Sequence, residues 1–165
     1  LEDRVSLSAS VFHYDYTDIQ VSQITDLQVN IENASEATVY GAELELSARL
    51  TPALSVDAAL ALLSAEYGDY VSCDAMAFPG NCSGGVVVLE NVKGNPLTRA
   101  PERTFNLGLQ YSVPVADFGQ LMLRADGYWS SKVYFSHFKD PNESQDAYRV
   151  FNLSGEFAPA NSRLL

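Results

Sequence analysis

"TFNLGLQYSV", Thr104 to Val113, reads in strict alternation. Phe105, Leu107, Leu109, Tyr111 and Val113 fall on one side. Thr104, Asn106, Gly108, Gln110 and Ser112 fall on the other. Successive side chains of a strand point to opposite faces, so this is a two-faced β-strand. Alternation alone leaves the partner of the apolar face open. It is either a second sheet in a protein core or lipid.

Composition narrows the choice of function. The chain has 165 residues, enough for one domain spanning 1–165, and a formal net charge of -11. Binding nucleic acid requires an excess of Lys and Arg to neutralise phosphates, so that class is excluded. The chain contains no apolar run long enough for a transmembrane helix. A membrane-spanning strand would escape that criterion, because half its residues avoid lipid. The start, "LEDRVSLSAS", lacks the apolar centre of a signal peptide. Both ends read as cuts within something longer.

Six segments show period-two patterning. They are Arg4–Val21, Ala37–Leu50, Ala53–Tyr70, Glu102–Val113, Gln120–Phe135 and Ala147–Ala158. In the first, Val5, Leu7, Ala9 and Val11 alternate with serines, but Phe12, Tyr14 and Tyr16 follow on the other parity. Either a bulge near Val11 switches faces, or those aromatics point inward. The third is rich in Ala and Leu; its alternation and its neighbours make it a strand rather than a helix. Glu43, Glu45, Arg49, Asp57, Arg124, Asp126 and Glu156 all lie mid-segment on the polar parity.

The connections carry more weight than the faces. "TPA" joins the second and third segments, and "PVADFG" joins the fourth and fifth. Longer runs, including Val71–Pro101 and "SHFKDPNESQD", fill the other gaps. Long and short connections therefore alternate. That is the pattern of a transmembrane β-barrel, with short periplasmic turns and long extracellular loops. Segment length agrees, since a tilted spanning strand needs about 9–11 residues. Soluble strands usually have about five or six. Tyr40, Phe105, Tyr111, Trp129 and Phe157 lie toward segment ends, as aromatic girdles would.

Few residues suggest chemistry. No nucleophile elbow or triad spacing is present, so the chain reads as no enzyme, with no cofactor. Cys73 and Cys82 flank a Pro-Gly turn in "CDAMAFPGNC". The spacing suits a disulfide-closed loop in an oxidising compartment; the alternative is two free thiols. His13 and His137 are too far away in sequence to complete a metal site with them. His137 reads as a solvated loop residue before it reads as a ligand contact. Asp140, Asn142, Glu143 and Asp146 lack the spacing of a calcium loop. Asn33, Asn81, Asn142 and Asn152 each begin an Asn-x-Ser pattern, with Asn152 mid-strand.

The stretch "VYGAELELSARLTPALSVDAALALLSAEY", Val39–Tyr67, resembles the barrel of TonB-dependent outer-membrane receptors. There a Tyr-Gly-x-Glu-Leu strand runs into a Thr-Pro turn and returns. "FHYDYTDIQV" (Phe12–Val21), "GNPLTRAPERTFNLGLQYSV" (Gly94–Val113), "LMLRADGYWSSKVYF" (Leu121–Phe135) and "SQDAYRVFNLSGEF" (Ser144–Phe157) resemble further pieces in the family's order. The resemblance implies an all-β, antiparallel, up-and-down transmembrane barrel in a Gram-negative outer membrane. About six of roughly 22 strands would be present, so the sheet could not close alone. The family's plug, its TonB-contacting box and its closing strand with a terminal aromatic residue are missing here. The chain ends Arg163-Leu164-Leu165 instead.

The resemblance also implies partners and roles. Partners would be outer-membrane lipid, the plug, the TonB complex through it, and a small-molecule or metal-chelate substrate. A ferric siderophore, cobalamin and an oligosaccharide are the candidates. Glu43, Glu45, Arg49, Arg124, Asp126 and Glu156 would face the lumen. Ligand contact would come from Tyr67, Tyr70, Tyr134, Phe135, His137 and Phe138, and from the Cys73–Cys82 loop. Two rivals stand beside this reading. One is a soluble secreted β-sandwich binding module, in which the apolar parity meets a second sheet. The other is a plugless, porin-like channel.

Overall fold

The computed structural model describes residues 4–25, 28–74, 82 and 88–160, with the backbone alone for 22–25, 28–30 and 32–35. In chain order the strands are β1 (Val5–Thr25), β2 (Gln28–Arg49), β3 (Leu54–Tyr67), β4 (Val71–Ser72) and β5 (Glu90–Asn91). They continue with β6 (Arg103–Val115), β7 (Gly119–Ser130), β8 (Val133–Tyr134), β9 (Ser144–Gln145) and β10 (Tyr148–Pro159). Six of them form one sheet in the order β1-β2-β3-β6-β7-β10, and every neighbouring pair is antiparallel. The short pairs β4–β5 and β8–β9 lie within the long connections at one end. Strands β1 and β10 are the edges; among the described residues they pair with nothing further, so the sheet is not closed.

Local chemistry makes the tight turns at the other end. Between β2 and β3, Thr51 Oγ1 accepts hydrogen bonds from the amides of Ala53 and Leu54, at 3.2 and 2.9 Å. Pro52 presets the backbone beside it. Between β6 and β7 the Phe118 amide donates to the Val115 carbonyl at 3.0 Å. Gly119 follows at φ 149, where a Cβ would collide with the carbonyl of Ala158 on β10. Both facts demand glycine there.

Antiparallel partners share a face, so the register assigns every side chain. One face carries Leu7–Leu46–Ala58–Leu107–Gly127–Phe151 as a row from β1 to β10. The next row is Ala9–Leu44–Leu60–Phe105–Trp129–Arg149. Tyr40, Tyr111 and Phe157 share this face. The other face carries Ser6–Ser47–Asp57–Gly108–Asp126–Asn152. No second sheet covers the apolar face among the described residues. Val11 is 85% exposed, Phe151 78% and Leu153 82%. Among the described residues this face therefore has no sandwich partner.

The borders of the apolar face run obliquely to the rows. At the loop end, the row Val11–Ala42–Leu62 stays apolar until β6, where it meets Arg103. One row lower, the apolar run reaches Trp129 on β7 and becomes Arg149 only on β10. At the turn end β3 stops at Leu54, opposite Tyr111, while β6 and β7 continue through Val113–Leu121. Both borders step the same way across the sheet. Along β3 the band runs from Leu54 to Leu62, roughly 27 Å of strand at about 3.4 Å per residue.

One open choice is decided, for aromatics that turn to the other face, and two expectations need correction. No bulge exists near Val11: the β1–β2 register is unbroken from Val5↔Ala48 to Thr17↔Glu36. Phe12, Tyr14 and Tyr16 therefore lie on the polar-parity face, opposite Gly41, Val39 and Ala37. Asp18, at a left-handed φ of 55, is skipped in the pairing, which resumes in the same register at Ile19↔Ala34. Second, the gap between the first two segments is no open loop. β1 and β2 pair onward to Thr25↔Gln28, because "IQVSQIT" and "QVNI" keep β-branched residues in strand spacing. Third, β3 ends at Tyr67 and β7 at Ser130, short of Tyr70 and Phe135. Gly68 donates to the Glu36 carbonyl at 2.8 Å and the chain then turns away.

The buried core lies at the loop end. Val21, Tyr67, Tyr70 and Val92 form it, with Ile19, Leu97 and Phe138 packed around them.

Candidate functional site

The polar face contains two kinds of site, one above the other. At the level of the apolar band it is charged. Arg124 on β7 grips Asp126 at two points, Nη2 to Oδ1 at 2.7 Å and Nε to Oδ2 at 3.1 Å. Its Nη1 reaches Asp57 on β3 at 3.5 Å. β6 lies between those strands, and Arg124 crosses it over Gly108. A Cβ there would stand 2.6 Å from Arg124 Nη2. Ser47 on β2 donates to Asp57 Oδ1 at 2.9 Å, extending the network one strand further. Ser10 on β1 donates to Glu43 at 3.4 Å. Glu45, Arg49 and Glu156 share this face and form no ion pair with a described residue. All these groups are accessible to water, so each pairing contributes little, below about 1 kcal/mol. Their effect is a wetted, charged wall around a cleft of about 380 Å3 bounded by Asp57, Asn106, Arg124, Asp126, Tyr128 and Asn152.

Toward the loop end the same face becomes aromatic. Phe12 and Tyr14 have ring centroids 5.6 Å apart, and Tyr14 and Tyr16 6.1 Å. Phe12 lies against Gly41, where no side chain intervenes. Beyond them comes the core cluster. His137 packs on Phe138 at 4.1 Å, Tyr70 at 5.7 Å and Tyr67 at 6.2 Å. It is 7% exposed, so it is not the solvated loop residue expected from its sequence context. Asn95 Nδ2 donates to the His137 carbonyl at 2.9 Å, and the Arg99 amide to the Tyr134 carbonyl at 2.8 Å. Separate connections are thereby joined into one body.

Of the residues expected to touch a ligand, Tyr67, Tyr70, His137 and Phe138 are brought together, but Tyr67, Tyr70 and His137 are buried. Phe135 is exposed and Tyr134 half-buried beneath Lys132, whose Nζ lies 5.4 Å from its ring. A disulfide joins Cys73 and Cys82, with 5.6 Å between their Cα atoms. The loop interior, including Asn81, lies outside the described residues, as do the Asn33 side chain and Arg163–Leu165. Asp140, expected in no metal site, caps the short turn Pro141–Glu143 by accepting from the Asn142 amide at 2.7 Å. Asp69 and Lys93 pair beside β4 and β5. Hydrogen bonds from Lys93 and Asn91 hold the Asp69 carboxyl below its ordinary pKa. Hydrogen bonding to Asp69 raises that of Lys93.

Sequence reasoning missed two features. Asp57 was visible on the polar parity, but its link to Arg124 skips a strand and needs Gly108 between them. The Phe12–Tyr14–Tyr16 ladder was visible, but its face depended on the register.

A family model for the TonB dependent receptor-like β-barrel matches residues 1–164. The chain belongs to that family. Solved structures share the fold. The ferric yersiniabactin uptake receptor FyuA from Yersinia pestis superposes with a TM-score of 0.69 at 22% identity, covering 95% of this chain and 20% of the receptor. The siderophore receptor PiuA from Acinetobacter baumannii gives 0.67 at 22% identity, covering 95% and 20%. The FrpB iron transporter from Neisseria meningitidis (F5-1 variant, apoprotein form) gives 0.60 at 15%, covering 96% and 22%. The chain thus spans about a fifth of the length of the receptors it matches. TonB-dependent receptor barrels reside in the Gram-negative outer membrane.

Proposed function

We propose that this chain forms part of the wall of an outer-membrane receptor for active uptake of a scarce, bulky solute, a ferric siderophore first among the candidates. The observation that carries the reading is the bare, obliquely bordered apolar band of a six-stranded sheet within the receptor family. Leu44, Leu107, Leu109 and Leu123 are exposed on that face. They would face lipid. Glu43, Glu45, Arg49, Arg124, Asp126 and Glu156 would face the lumen and the plug, and the plug would couple uptake to the TonB complex.

Solute contact is assigned to the aromatic end of the polar face. Phe135, Tyr134 and the ladder of Phe12, Tyr14 and Tyr16 are accessible there. Tyr67, Tyr70 and His137 act beneath them as the support that holds the connections in place. Cobalamin and oligosaccharides remain alternatives within the same reading. No chemical step is assigned. A soluble sandwich is not favoured, because no described residue covers the apolar face.

The test is growth rescue of a receptor-deletion strain by the complete receptor, with panels of ferric siderophores, cobalamin and oligosaccharides. Rescue by one ferric chelate under iron limitation is the expected result. Rescue by cobalamin or a sugar alone, independent of iron, would overturn the siderophore reading.

A further inference from the structure

β1 and β2 keep one register along their whole length, yet the faces of β1 exchange at Asp18. Before it, Phe12, Tyr14 and Tyr16 lie in rows with Gly41, Val39 and Ala37, on the face of Asp57 and Arg124. Tyr16, Ala37 and Tyr67 form one such row, so Tyr67 belongs to the same face. Strict alternation would next place Asp18 and Gln20 there. Instead Val21 is packed with Tyr67, Tyr70 and Val92, and Ile19 lies against them. Val21 is 8% exposed, whereas Val11, of the same parity before Asp18, is 85% exposed. Gln20 is exposed.

No inserted residue accounts for the exchange, because Thr17↔Glu36 and Ile19↔Ala34 belong to one register. The cause is the backbone of Asp18, at φ 55. Faces alternate only while every residue is extended. A left-handed residue rotates the chain that follows it. Asp and Asn accept that conformation more readily than other residues with a side chain, and β-branched residues accept it least. The outcome is one stripe, Phe12, Tyr14, Tyr16, Ile19 and Val21, running from the sheet into the connection cluster.

We infer that Asp18 is a positioning residue, whose left-handed backbone turns the arm formed by the ends of β1 and β2 so that Ile19 and Val21 fasten it to the cluster. With an extended residue at 18, Gln20 would face Tyr67 and Tyr70, and Ile19 and Val21 would face outward. Burial of Ile19 and Val21 holds the strained setting. The carboxylate is not what holds it: Asp18 forms no ion pair with a described residue.

The test uses the complete receptor in detergent, with one added cysteine as probe, Val21→Cys or Gln20→Cys, and the rate of maleimide labelling as readout. Without a change at 18, Val21→Cys should react about tenfold more slowly than Gln20→Cys. Asp18→Gly and Asp18→Asn should keep that ratio, because both residues accept a left-handed backbone. Asp18→Val should reverse it, speeding labelling at 21 and slowing it at 20, with Asp18→Ala between. If Asp18→Val does not fold, the comparison of Asp18→Ala with Asp18→Gly decides. Equal ratios in those two overturn the inference. So does a lost ratio in Asp18→Asn, which would assign the role to the carboxylate. Faster labelling at both 20 and 21 in Asp18→Val overturns it as well, because that is loosening without an exchange of faces.

Discussion

The middle and the loop end of this sheet use opposite chemistry on the same faces. At the level of the Leu44–Leu60–Phe105 row, one face is apolar and the other bears Asp57, Arg124 and Asp126. Toward the connections the assignment reverses. His13, Asp15 and Thr38 appear on the first face, and Phe12, Tyr14 and Tyr16 on the second. The backbone register does not change between them. The surroundings change, and the side chains follow. On the proposed reading, lipid requires an apolar exterior only over its own thickness, and above it the aromatic residues turn to the interior and to the loop cluster. The bulky buried side chains of the described residues gather there, away from the sheet's middle.

The strongest way to break this comparison is in the cluster. Tyr67→Ala should cost the connection end about 3–5 kcal/mol. Hydrogen exchange on the complete receptor should show faster exchange at residues 88–100 and 133–138, with the amides of β6 and β7 unchanged. Uniform loosening of both ends would mean that the two halves are one cooperative unit.

The next test compares the faces at mid-sheet. Leu107→Arg should destabilise the bilayer-inserted receptor by about 2–4 kcal/mol. Asn106→Arg, one residue away on the other face, should change it by less than about 0.5 kcal/mol. Urea titration in vesicles measures both, and equal effects would refute the assignment of faces. Gly119→Ala comes third, at about 1–3 kcal/mol, because its backbone and the nearby Ala158 carbonyl both exclude a side chain. Arg124→Gln should remove less than about 1 kcal/mol, since its partners are wetted. A larger loss would show that the charged row is structurally essential.

The smallest effect concerns pH at the connections. The carboxyl of Asp69 has a lowered pKa, owing chiefly to Lys93. Its contribution is whole at neutral pH and disappears as acid passes below the ordinary aspartate range. Lys93 is raised, so its contribution is whole at neutral pH and is lost only as pH rises above the ordinary lysine range. Proteolysis near β4 and β5 should therefore be flat around neutrality and quicken at both extremes. Quickening already between pH 5 and 8 would assign the sensitivity to other groups.

Much of this was readable from residue order. The alternation of Phe105 to Val113, the "TPA" and "PVADFG" turns and the polar parity of the charges describe the long strands and their two faces. The first connection was not readable, because "VSQIT" and "QVNIENASEATV" mix strand-forming and turn-forming residues, and only the pairing Thr25↔Gln28 makes them a hairpin. His137 was misjudged for a related reason. Its place in a connection suggested solvent, whereas in space Tyr67 and Tyr70, about seventy residues away in sequence, close over it together with the adjacent Phe138.

Period-two patterning by itself determined that this chain forms long two-faced strands, because side-chain alternation is a local property of extended backbone. It could not determine which residues meet across strands. That required the register, which turned Phe12, Tyr14 and Tyr16 onto the charged face and laid Arg124 over Gly108 to reach Asp57. Register is set by pairing over the whole sheet, and a single strand does not contain it.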